Sequence, residues 1–251
     1  MLLRLSHRPR QFAKRLAAHL HMSLLPSSCA LCGTAGADTL CAGCRTQFIV
    51  PRGACCGQCA MPLPDGGDGS RCGACLDETP AYDATVAAAD YGAPLDQLVV
   101  ALKFGGKLAL APLFARLMRD ALLHTQEAAL PDLLVPVPLG EARLTQRGFN
   151  QALEIARPLS PALGIPLESR ACVRLRDTDA QSTLHPEQRR KNMRGAFSVA
   201  PAYVGKLDGL HVGVVDDVMT TGETLNELAA TLKRFGAARV TNFVFARTLL
   251  K

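Results

Sequence analysis

The sequence predicts an α/β fold, an open parallel sheet flanked by helices, preceded by a small cysteine-rich segment built around metal. Three observations carry this. Nine of the ten cysteines fall between residues 29 and 75. Beyond residue 80 the cysteines cease and short apolar strand patterns alternate with amphipathic helical ones, the signature of a parallel sheet. Near the C-terminus, "VVDDVMTTGETLNELAATLKRFG" (residues 214–236) runs from a buried strand through two carboxylates and a glycine-containing loop into a helix.

The chain of 251 residues is 48% hydrophobic, enough for one full domain and something smaller. Its apolar runs fall short of the ~20 residues of a membrane-spanning helix. Residues 1–25 form a basic segment with Arg4, Arg8, Arg10, Lys14 and Arg15 and no acidic residue before Asp38. No apolar stretch of signal-peptide length follows those charges, so the expected setting is cytoplasmic. The formal net charge is +6, and arginines crowd again between Arg143 and Arg194, which suits phosphate-bearing partners as well as plain solvation.

Residues 26–80 read as a double zinc-binding segment. Cys29 and Cys32, Cys41 and Cys44, Cys56 and Cys59, and Cys72 and Cys75 form four C-x-x-C pairs. Each pair sets two thiolates at adjacent corners of a tetrahedron, and two pairs complete a closed four-sulfur structural site. Two structural zinc ions follow, stapling a segment with little core of its own. Disulfides are the rival reading and fit a reduced setting poorly. Pairing neighbours groups the first four cysteines and the last four, with an interleaved arrangement left open. Cys55 lacks the two-residue spacing, and Cys172 reads as a small buried hydrophobe.

Residues 81–251 read as the sheet domain. Strands are expected at "YDATVAAADY", "DLLVPVPL", "ACVRLR", "HVGVVDD" and "RVTNFVFAR". Helices are expected across "PLDQLVVALKFGGKLALAPLFARLMRDALL" with a glycine break, at "NQALEIARPLSPAL", at "PEQRRKNM" and from Thr224 onward. In such a sheet, ligands bind beyond the carboxyl ends of strands, where Asp216 and Asp217 fall. Thr220, Thr221, Gly222, Glu223 and Thr224 then lead into a helix whose N-terminus faces the ligand, so its amides and dipole can hold an anion. Adjacent carboxylates accept from vicinal hydroxyls, and a sugar phosphate satisfies both features.

"VVDDVMTTGET" resembles the signature of type I phosphoribosyltransferases, which implies the acidic pair on the ribose of phosphoribosyl pyrophosphate and the loop around its 5-phosphate. The cysteine-rich N-terminus, "ALKFGGK", "VPVPL", "RLTQRGFNQA", "RLRDTDAQSTLHPEQRRKNMRGAF" and "VVDDVMTTGET", in that order, resemble the ComF family of competence proteins from about Pro26 onward. The resemblance implies a phosphoribosyltransferase-like domain behind a double zinc ribbon, linked to uptake or use of external DNA. It sets a pyrophosphate loop after "VPVP", holding Arg143, Arg147 and Gly148, and a mobile loop beginning near Arg174 and Arg176 with Gln181, Arg189, Arg190 and Asn192. In that scheme Arg147, Arg174 and Arg176 serve the reaction, Lys103 is a further phosphate ligand, and magnesium accompanies the pyrophosphate. Solvated helix-end arginines are the ordinary alternative. Relatives acting on oxopurines carry an aspartate base three residues after the second acidic residue; Thr220 stands there, which argues against purine salvage.

Three functions fit. The first is a DNA-uptake module that grips phosphoribosyl pyrophosphate and contacts single-stranded DNA or a helicase partner. The second is a transferase with an unidentified acceptor. The third is a sugar-phosphate-sensing regulator, for which no helix-turn-helix pattern appears. Aromatic residues make up 5% of the chain and tryptophan is absent, so any nucleic-acid contact is expected to run through arginine and to weaken with salt.

Overall fold

The computed structural model describes residues 27–64, 71–125, 129–176 and 195–249. By compactness the chain divides between Gln47 and Phe48. The composition boundaries expected at residues 25 and 80 do not coincide with this division. In the first unit, strands β1 (Ser27–Ser28) and β2 (Ala35–Gly36) pair antiparallel and helix α1 (Ala42–Phe48) begins. The turn between the strands closes through Gly33 N–H donating to Cys29 O at 2.9 Å, with Gly33 at φ +75°.

The second unit opens with a second cysteine turn and helix α2 (Gly73–Asp77), then builds a four-stranded sheet. Strand β3 (Ala84–Asp90) precedes helices α3 (Leu95–Lys103) and α4 (Ala111–Leu123). Strand β4 (Leu133–Pro136) leads to helices α5 (Glu141–Arg147) and α6 (Gln151–Leu163). Strands β5 (Cys172–Arg174) and β6 (Phe197–Val199) form a separate antiparallel pair. Then come β7 (His211–Met219), helix α7 (Glu223–Arg234) and β8 (Arg239–Arg247). The sheet order is β3-β8-β7-β4, all parallel, with helices packed on it.

These elements follow from their residues. β8 is buried from Val240 to Arg247, as a central strand covered on both faces must be, and its apolar run satisfies that environment. Phe245 stacks on Phe114 of α4 with ring centroids 3.7 Å apart. Helix α6 starts at Asn150, whose side chain accepts from Ala152 N–H at 3.0 Å and whose Nδ2 donates to Val137 O at 3.0 Å, pinning the helix start to the chain just after β4. Gly213, mid-strand in β7, leaves room for Leu134, Pro131 and Phe243; a Cβ there would lie 2.7 Å from Leu134 Cδ2.

Three expectations change. "ACVRLR" contributes a strand to a hairpin, not to the parallel sheet, because Cys172 to Arg174 find their partners in Phe197 to Val199. The stretch holding Arg143 and Arg147 is a two-turn helix rather than a loop: "EARLTQR" is made of helix-tolerant residues and Gly148, at φ +76°, ends it in the left-handed region. β7 continues past the acidic pair to Met219, because Val218 and Met219 still pair with Ala246 and Arg247. The helix expected at "PEQRRKNM", the mobile-loop residues Gln181, Arg189, Arg190 and Asn192, and the basic segment 1–25 lie outside the described residues. Among those described, no helix is long and apolar enough to cross a membrane.

Phe114→Ala removes one of the fully buried ring pair and is expected to lower unfolding free energy by about 3–5 kcal/mol in urea titration. A loss below ~1 kcal/mol contradicts the packing described.

Candidate functional site

Two kinds of site emerge, two tetrads of sulfur and one cleft of charge. The Sγ atoms of Cys29, Cys32, Cys41 and Cys44 lie within 4.8 Å of one another, and so do those of Cys56, Cys59, Cys72 and Cys75. Cys32 Sγ and Cys41 Sγ lie 3.7 Å apart and Cys59 Sγ and Cys72 Sγ 3.5 Å, near the ~3.8 Å edge of a tetrahedron with zinc–sulfur bonds of ~2.3 Å, and far beyond a disulfide bond of ~2.05 Å. Backbone amides support the sulfurs: Cys41 N–H donates to Cys29 Sγ and Cys44 N–H to Cys41 Sγ, each at 3.4 Å. Neighbouring pairs group together and the interleaved alternative is not adopted. Cys55 stays outside the tetrads, and burial pushes the Cys172 thiol up to about 12, the behaviour of a core residue. The tetrads are closed, all-sulfur sites that suit structural zinc and offer no fourth position for a substrate.

The second site is a cleft of about 250 Å³ at the carboxyl ends of β7 and β4. Among the described residues its walls are Asp216 and Asp217 from β7, Thr220, Gly222, Glu223 and Thr224 from the loop and first turn of α7, Val137 to Leu139 after β4, Arg143 and Arg147 from α5, Gln151, Arg174, Tyr91 and Lys103. β7 delivers the acidic pair because its strand pairing fixes Asp216 opposite Val244. Asp216 is half-buried, whereas Asp217 is almost wholly enclosed and paired with Lys103, Nζ to Oδ2 at 2.8 Å. Lys103 therefore serves the acidic pair first, a role its position in "ALKFGGK" did not reveal. Burial, and secondly the neighbouring charge of Asp217, raise the Asp216 carboxyl well above the ordinary carboxylate range; Lys103 opposes this. The cleft thus disfavours the charged form of Asp216, as sites that act through carboxylates often do.

The loop after β7 turns at Gly222, which caps α7 with φ +89°. A Cβ there would lie 2.7 Å from the flexible tip of Met219 (Cε) and 3.1 Å from Tyr82 Oη, but it is the positive φ that demands glycine. First-turn N–H groups of a helix have no intrahelical acceptor, and α7, twelve residues long, points this end into the cleft. Thr220, Glu223 and Thr224 line the cleft, while Thr221 does not; its Oγ1 is buried without a hydrogen-bond partner among the described residues. Glu223 adds an acidic group beside the helix start.

Across the cleft, Arg147 donates to Gln151 Oε1 at 3.0 Å and lies 5.0 Å from the centroid of the Phe104 ring. Burial disfavours its charged form, and Asp217 and Asp216 offset part of that penalty. Arg174 sits over Phe197, 5.3 Å from its centroid, and Arg176 is exposed outside the cleft wall, accepting through its carbonyl from Arg174 Nε at 3.2 Å. Sequence reasoning missed Tyr91 and Gln151. It missed also Arg247 and Tyr82, which underlie the loop; nothing in their local sequence marks them, since their roles arise from pairing across the fold.

Comparison with known proteins agrees with this anatomy. A double zinc ribbon family model matches residues 20–76 and a phosphoribosyl transferase domain model matches residues 150–249. The chain is 36% identical over 234 residues to the DNA utilization protein YhgH of Salmonella typhi, covering 91% of this chain and 100% of that one. It is 34% identical over 212 residues to Competence protein F of Haemophilus influenzae, covering 83% and 90%. It is 30% identical over 119 residues to Competence protein ComFC of Bacillus subtilis, covering 46% and 45%.

Metal analysis of the purified chain is expected to find zinc at one ion per tetrad, two per chain; metal-free protein with the same fold contradicts the sites. A pH test follows from Asp216. Its native carboxyl holds a proton to higher pH than the unfolded one, which releases near pH 3.9. Below that value both states are protonated and the residue costs nothing; as pH rises, the unfolded state releases first and native stability falls. Asp216→Asn, whose Oδ1 can still accept the Asp217 N–H bond, is therefore expected to raise the melting temperature at pH 8 by at least ~2–4 °C, the shift that ~1 kcal/mol makes in a chain of this size, and by little at pH 4. An equal gain at both pH values, or a loss at pH 8, contradicts it.

Proposed function

The chain belongs to the ComF family, and from that premise we propose that it binds phosphoribosyl pyrophosphate, or a closely related sugar phosphate, in the service of DNA utilization. The observation that carries this is one cleft joining a carboxylate pair, a long helix N-terminus and a wall of arginines. The 5-phosphate sits on the amides of the loop Thr220–Thr224, with threonine hydroxyls as further donors. The ribose hydroxyls donate to Asp216 and Asp217. The diphosphate points toward Arg143 and Arg147, whose planar guanidinium groups hold phosphate oxygens in pairs, and magnesium accompanies it.

Lys103 orients the pair. Its Nζ, 2.8 Å from Asp217 Oδ2, fixes the position of that carboxylate in the cleft. A ligand with several anionic groups also relieves the like-charge crowding of Arg143, Arg147, Arg174 and Lys103 along the cleft. The domain arrangement assigned to the chain is a ribbon region near 26–80 followed by the sugar-phosphate domain to residue 251. Eight thiolates held reduced suit a cytoplasmic setting. The DNA-linked names of the relatives extend to this chain as a role in handling incoming single strands, directly or through a helicase. Transfer to an acceptor is the second reading, and what favours it is that Arg147 and Arg174 converge on the cleft that holds the acidic pair.

Titration calorimetry with phosphoribosyl pyrophosphate and magnesium tests the central reading. Asp216→Asn is expected to weaken binding about 10- to 100-fold, the worth of one or two charge-assisted hydrogen bonds, and the double replacement Asp216→Asn, Asp217→Asn to remove it. Undiminished binding in both variants rejects the assignment; pyrophosphate release that depends on an added acceptor establishes transfer.

A further inference from the structure

Arg247 is the last residue of β8 and is only 2% exposed. Its Nε donates to Cys59 O at 2.9 Å, a carbonyl of the second cysteine turn. From the other side of the same guanidinium, Nη1 donates to Met219 O at 3.1 Å, to Thr220 O, and to Thr248 O at 2.8 Å. One buried fork thus joins a metal-binding turn to the two residues that open the phosphate loop. A second connection runs beside it. Gln58, between Cys56 and Cys59, donates to Tyr82 O at 2.9 Å, and Tyr82 Oη lies where any side chain at Gly222 would have to go. Thr85 closes the turn onto β3, donating through Oγ1 to Gln58 O at 2.6 Å and through N–H to Gly57 O at 3.0 Å.

The charge has a counterpart too. Four thiolates around a divalent zinc keep a net negative charge, so a buried cation at the edge of that site compensates it. The ribbon does more than staple its own segment.

We infer that Arg247 is a positioning residue that ties the second zinc-binding turn to the phosphate loop, so that the shape of Met219–Gly222, and with it anion binding, depends on metal at Cys56, Cys59, Cys72 and Cys75. Its carbonyl acceptors fix where the backbone leaves β7; without the fork, four carbonyls lose a common donor and the loop is released. The binding half of this inference rests on the reading of Thr220–Thr224 as the phosphate loop.

The test uses the full chain loaded with zinc. Hydrogen exchange is followed at the amides of Thr220–Thr224 and expressed relative to Val214 and Val244, buried sheet residues that report global opening and so cancel any general loss of stability. Arg247→Met is expected to speed relative loop exchange about tenfold, and Arg247→Lys, which keeps the charge but not the fork, to recover only part of it. Cys72→Ser is expected to lose the zinc of this tetrad in metal analysis and to speed the loop to the same degree. Combining it with Arg247→Met adds nothing, because both break one path. Phosphoribosyl pyrophosphate affinity falls about tenfold in step. Loop exchange unchanged in both Arg247 variants, or effects that multiply in the double variant, overturns the inference. Wild-type protein that binds no phosphoribosyl pyrophosphate would remove the sugar-phosphate reading instead, while the exchange experiment still judges Arg247.

Discussion

The parallel pairing of β7 with β8 is the constraint on which the rest of the molecule depends. Its register sets Asp216 opposite Val244 and Met219 opposite Arg247, so one ladder delivers both the acidic pair and the cation beneath the loop. Because side chains alternate along a strand, a slip of one residue would send Asp216 and Asp217 each to the other face and part Arg247 from Met219. The apolar character of both strands, with Val212, Val214, Val215, Phe243, Val244 and Phe245 essentially inaccessible, is what holds that register. Chemistry at the strand end is thus secured by burial along its length.

A different solution operates at the cysteines. Around residues 29–44 and 54–64 the chain offers short turns, exposed glycines and few large apolar groups, too little to organise itself by hydrophobic burial. Sulfur geometry takes over, with turns that point amides at thiolates and bring four sulfurs to tetrahedral spacing. In the second tetrad, Cys56, Cys59 and Cys75 also belong to the same buried cluster as Tyr82, Met219 and Leu225. There the metal site and the sheet core are continuous, and the loop after β7 rests on both.

Much of this was readable from local pattern. C-x-x-C spacing is a short-range signal, and the alternation of apolar runs with amphipathic stretches located β3, β4, β7, β8 and helices α3, α4, α6 and α7. The acidic pair and the glycine–threonine loop showed themselves because their elements adjoin in sequence. What escaped depended on distance along the chain. Arg247 reads as a strand-end arginine until Cys59, 188 residues earlier, is seen beside it. Lys103, expected beside Gly105 and Gly106 as a phosphate ligand, is ion-paired to Asp217, a contact its local sequence does not show. "ACVRLR" has strand composition, yet composition does not say which sheet a strand joins. Arg143 and Arg147 were expected on a loop, and the helix-tolerant run ended by Gly148 shows how a short helix can carry the same side chains to the same cleft.

Gly222 leaves a historical mark on chains built this way. A methyl group at that position meets Met219 from the strand and Tyr82 from the ribbon side at once, on a backbone that side chains already disfavour. The turn is thereby closed to other residues mainly by its own backbone, which no change in the neighbouring side chains relieves. A single dihedral angle therefore decides which residue can open helix α7, independently of what the cleft holds.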